Sequence, residues 1–164
     1  MDFTIEEMRE ADWPQVSAIF REGIETGIAT FLGDAPTWDT WDQEHCGDCR
    51  LVARSGDTIL GWAALSPVSS RCVYAGIAEA SVYIGKAGRR QGLGTALLTE
   101  LIRYSEEAGY WSLQGEIVKE NHPSRALCRK CGFREIGIRE RFGQMPGGQW
   151  HDVMLMERRS QTVG

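Results

Sequence analysis

Glu79 lies in the run "IAEASVYI", and shortly after it comes "RRQGLGT", from Arg89 to Thr95. One strand-loop-helix unit therefore carries both a carboxylate able to take a proton and a basic, glycine-rich turn able to hold an anion. Gly92 and Gly94 let the backbone approach a ligand closely, and successive peptide N–H groups can converge on one anion. Arg89 and Arg90 add charge-assisted contacts, and the positive end of the helix that follows favours a phosphate. A pyrophosphate or similar group is the expected occupant. A Walker A loop would end in Gly-Lys-Ser/Thr, which is absent here. A dinucleotide fingerprint would need a third glycine where Leu97 stands, although Glu116 falls where a ribose-binding acid would. A solvated basic turn before a helix is the plain alternative.

Strand alternation places Glu79, Ser81 and Tyr83 on one face and Ala78, Ala80, Val82 and Ile84 on the other. Glu79 thus points to the polar side of the strand that leads to the anion loop. A carboxylate partly withdrawn from water has a raised pKa and can accept a proton from an ammonium. A glutamate on a solvated strand face fits the same period, and period alone favours it.

The cysteines Cys46, Cys49, Cys72, Cys128 and Cys131 include two close pairs, "CGDC" and "CRKC". Paired zinc half-sites usually stand about 15 to 20 residues apart, and these are far more widely separated, with the second pair on a predicted helix. Reduced thiols are the expectation, and the three histidines show no ligand spacing, so no metal is expected.

The elements that must position these residues are legible from pattern. "FTIEEM" reads as a short strand, and Asp12 is placed to cap a helix running to about Gly27, with Pro14 in its first turn. A loop and short helix follow in "TFLGDAPTWDTWDQEH". Two strand-like runs flank the turn Ser55-Gly56-Asp57. From Gln91 to Ala108 the positions Leu93, Leu97, Leu101, Tyr104 and Ala108 recur at helical spacing, with Gly109 as a left-handed cap. "WSLQGEIV" is a strand, Asn121 caps a short helix containing Pro123 and ending at Gly132, and strands over about Phe133 to Arg141 and Trp150 to Glu157 close the chain.

At 164 residues, 42% hydrophobic and 25% charged, with a net charge of -5, the chain fits one domain over residues 1–164 and gives no reason to expect a nucleic-acid partner. No run of about 18 apolar residues occurs and the first residues are acidic, so no membrane association and a cytoplasmic location are expected.

The wider pattern resembles the GCN5-related N-acetyltransferase (GNAT) family. "ASVYI", then Arg89-x-x-Gly92-x-Gly94, then "NHPSRALCRKCGF" match its acetyl-CoA loop and following helix in order and separation. A narrower likeness, to phosphinothricin, methionine sulfoximine and arsinothricin N-acetyltransferases, rests on "SSRCVYAGIAEASVYI" and "GQWHDV"; together the matches cover most of residues 3 to 158. The resemblance implies an α/β (α+β) fold with a mixed, mostly antiparallel central sheet of about seven strands and helices on both faces. It implies transfer of the acetyl group of acetyl-CoA to the α-amine of a small amino acid or amino-acid-like antimetabolite, by a homodimer. Residue by residue, it gives Glu79 the catalytic role, and Val82, Tyr83, Ile84, Asn121 and Ser124 the pantetheine arm. Arg89, Arg90, Gln91, Gly92, Leu93, Gly94 and Thr95 would hold the pyrophosphate. Phe31, Arg71 and Tyr74 would meet the acceptor, with the Trp150-His151-Asp152 segment finishing the pocket. One departure is Cys128, which stands where relatives carry a tyrosine or histidine beside the coenzyme sulfur; here it is expected to fill space. Another amine acceptor (a polyamine, an aminoglycoside or a protein N-terminus) and a non-catalytic acyl-CoA-binding sensor are the alternatives.

Overall fold

Apolar residues on both faces of one strand decide the layering. In Thr58–Pro67 (β3) the run from Ile59 to Leu65 is buried, which requires cover on both sides of the sheet. Trp62 and Ala64 face one core and Ala63 and Leu65 the other. The computed structural model describes residues 2–164.

Around β3 the chain lays down Thr4–Glu7 (β1), Leu51–Ser55 (β2), Ile77–Ile84 (β4), Ser112–Val118 (β5), Arg134–Gln144 (β6) and Trp150–Arg159 (β7). They form one seven-stranded sheet in the order β1-β2-β3-β4-β5-β7-β6. Only β4 and β5 pair in parallel, and the other neighbours are antiparallel, so the sheet is mixed and mostly antiparallel, as the resemblance implied. The parallel pair needs a crossover, which Leu93–Glu107 (α3) supplies.

Helices cover both faces. Trp13–Glu25 (α1) and Trp38–Glu44 (α2) bury Val16, Ile19, Phe20 and Trp41 against Trp62, while α3 buries Leu93, Leu97, Leu98 and Leu101 against Leu51, Leu65 and Met156. His122–Lys130 (α4) lies on the α3 side, its Leu127 and Cys128 packed against that second core. Asn121 caps α4 as expected, its side-chain oxygen accepting from the Ser124 N–H at 3.3 Å. Asp12 differs from its expected role. Its carboxylate makes no cap bond to α1 and instead accepts from the Arg9 N–H at 2.9 Å and from Arg54 Nη2 at 2.7 Å, because a buried carboxylate is held best by a guanidinium. Among the described residues no helix is long and apolar enough to cross a membrane.

Candidate active site

The central strands part company. Parallel pairing of β4 with β5 covers only Ile77↔Ser112, Ala78↔Leu113 and Glu79↔Gln114. Beyond Glu79 the two strands diverge, so alternate N–H and C=O groups of Ala80 to Ile84 have no β5 partner in the ladder. An unpaired strand edge of this kind is a template for an extended amide-bearing chain.

A cavity of about 300 Å³ opens at the divergence. Its walls come from Ala80, Ser81, Val82 and Tyr83 of β4, Gly115 to Val118 of β5, Asn121, Ser124, Leu127 and Cys128 of the α4 region, and Thr30, Phe31 and His45 from the α1–α2 side. Val82, Tyr83, Asn121, Ser124 and Phe31 of the expected site thus line one space with Glu79. Gly143 explains how Phe31 gets there: a Cβ at that position would meet the Phe31 ring at 2.5 Å, so only glycine on β6 leaves the ring its place.

Glu79 sits at the last paired position, half-buried, on the sheet face that α1 covers, and it lines the cavity. Burial, and secondarily the negative charge of Glu116, push its carboxyl up to about 7, with Arg139 pulling the other way. The face read from alternation as polar is therefore an aromatic interior. Phe20, Trp62 and Tyr83 stack there, with ring centroids 4.8 Å apart for Trp62 and Tyr83 and 5.0 Å for Phe20 and Tyr83. Burial lifts the Tyr83 phenol to about 12, with a Thr30 hydrogen bond opposing the rise.

Two further residues join the site. His45 lies against Trp41, ring centroids 4.0 Å apart, with Nδ1 2.7 Å from the Trp41 carbonyl. That contact places its hydrogen on Nδ1, and burial holds the ring's pKa below the usual value. Glu116, read from sequence only as a possible ribose acid, sits instead on β5 two residues beyond Gln114, diagonal to Glu79 on the same face. Its Oε1 accepts from Arg139 Nη1 at 2.9 Å. A charged residue on a central strand was the signal for it. His45 gave none, since it sits on a loop.

The anion loop stands apart from the cavity lining. Arg89, Arg90 and Gln91 are exposed, Gln91 donating to the Ala87 carbonyl at 3.1 Å. Arg90 and Gly92 both have positive φ, 64° and 75°, and α3 starts at Leu93, two residues later than the hydrophobic period suggests. As at any helix start, the first-turn N–H groups of α3, at Leu93, Gly94 and Thr95, have no acceptor within the helix.

Arg71 and Tyr74 are not brought together with the rest. They belong to the turn before β4, exposed and clear of the cavity lining, with the Arg71 guanidinium 5.6 Å from the Tyr74 ring. His151 and Asp152 lie on β7, His151 Nδ1 being 3.4 Å from Glu120. Cys128 lines the cavity beside Gly115, and burial lifts its thiol to about 12, so it is protonated at neutral pH.

Comparison with known proteins fits this geometry. A family model described as acetyltransferase (GNAT) family matches residues 5–133. The phosphinothricin N-acetyltransferase of Alcaligenes faecalis is 32% identical over 162 residues, 94% of this chain and 81% of that protein. The L-methionine sulfoximine/L-methionine sulfone acetyltransferase of Pseudomonas aeruginosa is 28% identical across 96% of this chain and 94% of that one. A GNAT superfamily phosphinothricin acetyltransferase from Sinorhizobium meliloti, solved in complex with AcCoA, superposes with a TM-score of 0.85 at 28% identity, covering 97% of this chain and 89% of its own.

Proposed function

This chain belongs to the acetyltransferase (GNAT) family and is an acetyl-CoA-dependent N-acetyltransferase, and from that premise we propose that its acceptor is the α-amine of a small amino acid or amino-acid-like antimetabolite. Phosphinothricin, arsinothricin, methionine sulfoximine and methionine sulfone are the acceptor types meant, and detoxification in the cytoplasm the role. The observation that carries the reading is Glu79, half-buried where β4 and β5 separate, with a proton affinity near neutrality.

Acetyl-CoA supplies the activated thioester. Val82, Tyr83 and Ile84 offer backbone groups to the pantetheine arm along the open edge, with Asn121 and Ser124 on the facing wall. The Arg89–Thr95 turn takes the pyrophosphate on its N–H groups and arginines. Glu79 takes one proton from the ammonium, directly or through one water, and the freed amine then attacks: the C–N bond forms, the C–S bond breaks, and the second proton on nitrogen leaves to water or to the departing thiolate. A backbone N–H at Tyr83 or Ile84 donates to the oxyanion. The departing thiolate, of pKa about 8.5, tolerates the absence of a dedicated acid, and Cys128 fills space beside it.

For the acceptor's anionic side group we assign Arg71, supported by Tyr74, with Phe31 and the segment Trp150 to Asp152 bounding the pocket. Because Arg71 and Tyr74 stand clear of the cavity in the single chain, the assignment goes with a homodimer that brings their segment under cover.

A polyamine acceptor is the second reading. One observation favours it: the charged residues lining the cavity, Glu44, Glu79 and Glu116, are all acidic. The deciding experiment incubates the protein with acetyl-CoA and a panel of amino acids, polyamines and peptides while following free thiol. Thiol release with amino-acid acceptors supports the proposal. Release with polyamines alone replaces it, and silence across the panel favours an acyl-CoA sensor.

A further inference from the structure

An acidic cavity poses a problem for an amino-acid acceptor, whose carboxylate stands two bonds from the reacting amine. Something near Glu79 must offset that charge. None of the lining residues is a lysine or arginine, yet one guanidinium is gripped by two residues that do line the cavity. Arg139 on β6 donates from Nη1 to Glu116 at 2.9 Å and lies 4.7 Å from the Phe142 ring centroid. Glu116 and Phe142 are both cavity walls.

The sheet register explains the placement. Arg139 pairs with Val153, and Val153 with Val118, so these three share the face that also carries Glu116 and Glu79. Arg139 therefore reaches across β7 toward the cavity rim instead of away from it. Its side chain is 38% exposed, so a small molecule can approach it, and Nη1 to Glu116 is its one hydrogen bond among the described residues. The remaining N–H groups of the fork stay available. Arg50, the other arginine in contact with lining residues, differs: its donors are spent on Asp42 and on the carbonyls of Asp42, His45 and Cys46.

We propose that Arg139, oriented by Glu116 and Phe142, binds the acceptor's α-carboxylate and so makes the enzyme select amino acids over simple amines. A planar guanidinium with one side fixed by a carboxylate and its face on an aromatic ring is restrained before binding, and its free edge offers paired donors to a second carboxylate. The inference rests on the amino-acid reading above and adds to it a residue that discriminates.

Steady-state kinetics on the full chain tests it, with L-methionine sulfone and phosphinothricin as acceptors and 3-(methylsulfonyl)propylamine as the counterpart lacking a carboxylate. Arg139→Ala is expected to raise KM for both amino acids about tenfold to a hundredfold, the usual scale for losing a hydrogen-bonded charge. Assayed at pH 9, where Glu79 is ionised with or without the neighbouring Arg139 charge, it should leave KM for acetyl-CoA and kcat/KM for the amine within about twofold of wild type, a span too small to represent one charged contact. Arg139→Lys, which keeps the charge and loses the fork, should fall between the two and guards against a folding defect in the alanine variant. Unchanged KM for the amino acids in both variants, or an equal loss with the amine, overturns the inference while leaving the acceptor reading intact. A wild-type enzyme that acetylates the amine and neither amino acid overturns the acceptor reading itself.

Discussion

In the proposed mechanism Glu79 has to be ionised before it can take a proton, so its environment would set the pH at which turnover begins. With its carboxyl lifted to about 7 by burial and by Glu116, kcat/KM should climb with pH through about 7. Glu79→Gln should lower kcat at neutral pH by about a hundredfold to ten-thousandfold, the usual contribution of a general base. The loss should shrink as pH rises and free amine accumulates. A flat profile shared by both proteins would remove Glu79 from the mechanism. The same burial has a stability consequence of defined sign. The folded pKa lies above the ordinary glutamate value of 4.5, so the stability associated with this group is complete below about 4.5 and lost as pH rises through about 7. Glu79→Gln should therefore melt at a higher temperature than wild type at pH 8, the gain in stability being at most about 3 to 4 kcal/mol. At pH 4 the two melting curves should coincide. The motif made Glu79 visible in the sequence, but not its surroundings. Alternation gave its face correctly and its solvent wrongly, because what covers that face is α1, more than fifty positions earlier in the chain.

At the scale of elements, the proposal divides the holding of the coenzyme between the turn before α3 and the opening between β4 and β5. Gly92 has φ 75°, and a Cβ built there meets nothing within 4 Å. Gly92→Ala should therefore act through backbone strain of about 1 to 2 kcal/mol rather than through a clash. Calorimetry should show acetyl-CoA binding weakened severalfold, while KM for the acceptor holds. Leu101→Ala offers the contrast, because Leu101 is fully buried in the α3 core: it should cost about 2 to 5 kcal/mol of stability without a selective effect on either ligand. Helix and strand periods placed most elements within a residue or two. They missed the start of α3, since Gln91 continues the polar pattern while its side chain turns back to Ala87. The divergence of β4 from β5 was not legible at all. How far two strands stay paired is a non-local property, and neither strand's own residues record it.

The whole molecule leaves apolar side chains outside. Ile136, Ile138 and Phe142 of the edge strand β6 and Trp150 of β7 are exposed, as are Val73 and Tyr74 before β4. An edge strand with apolar groups facing water invites association, and a homodimer is the proposed outcome. Light scattering should give twice the 18.3 kDa chain mass, and the pair Ile138→Lys with Trp150→Glu should return the monomer mass with the fold retained. A wild-type monomer at assay concentrations would leave Arg71 and Tyr74 without a route to the acceptor. Sheet composition and helix count were readable from pattern, but the exposure of β6 was not, because an apolar strand residue reads as core until the neighbours are known.

The proposed catalysis depends on acetyl-CoA lying along the open edge of β4 with its thioester near Glu79. Hydrogen exchange of the backbone amides, with and without saturating acetyl-CoA, addresses that placement directly. Slower exchange is predicted within Ala80 to Ile84 and within Arg89 to Thr95, with the outer strands β1 and β6 unaffected. Unchanged exchange along Ala80 to Ile84 in a sample that is turning over acetyl-CoA would contradict it.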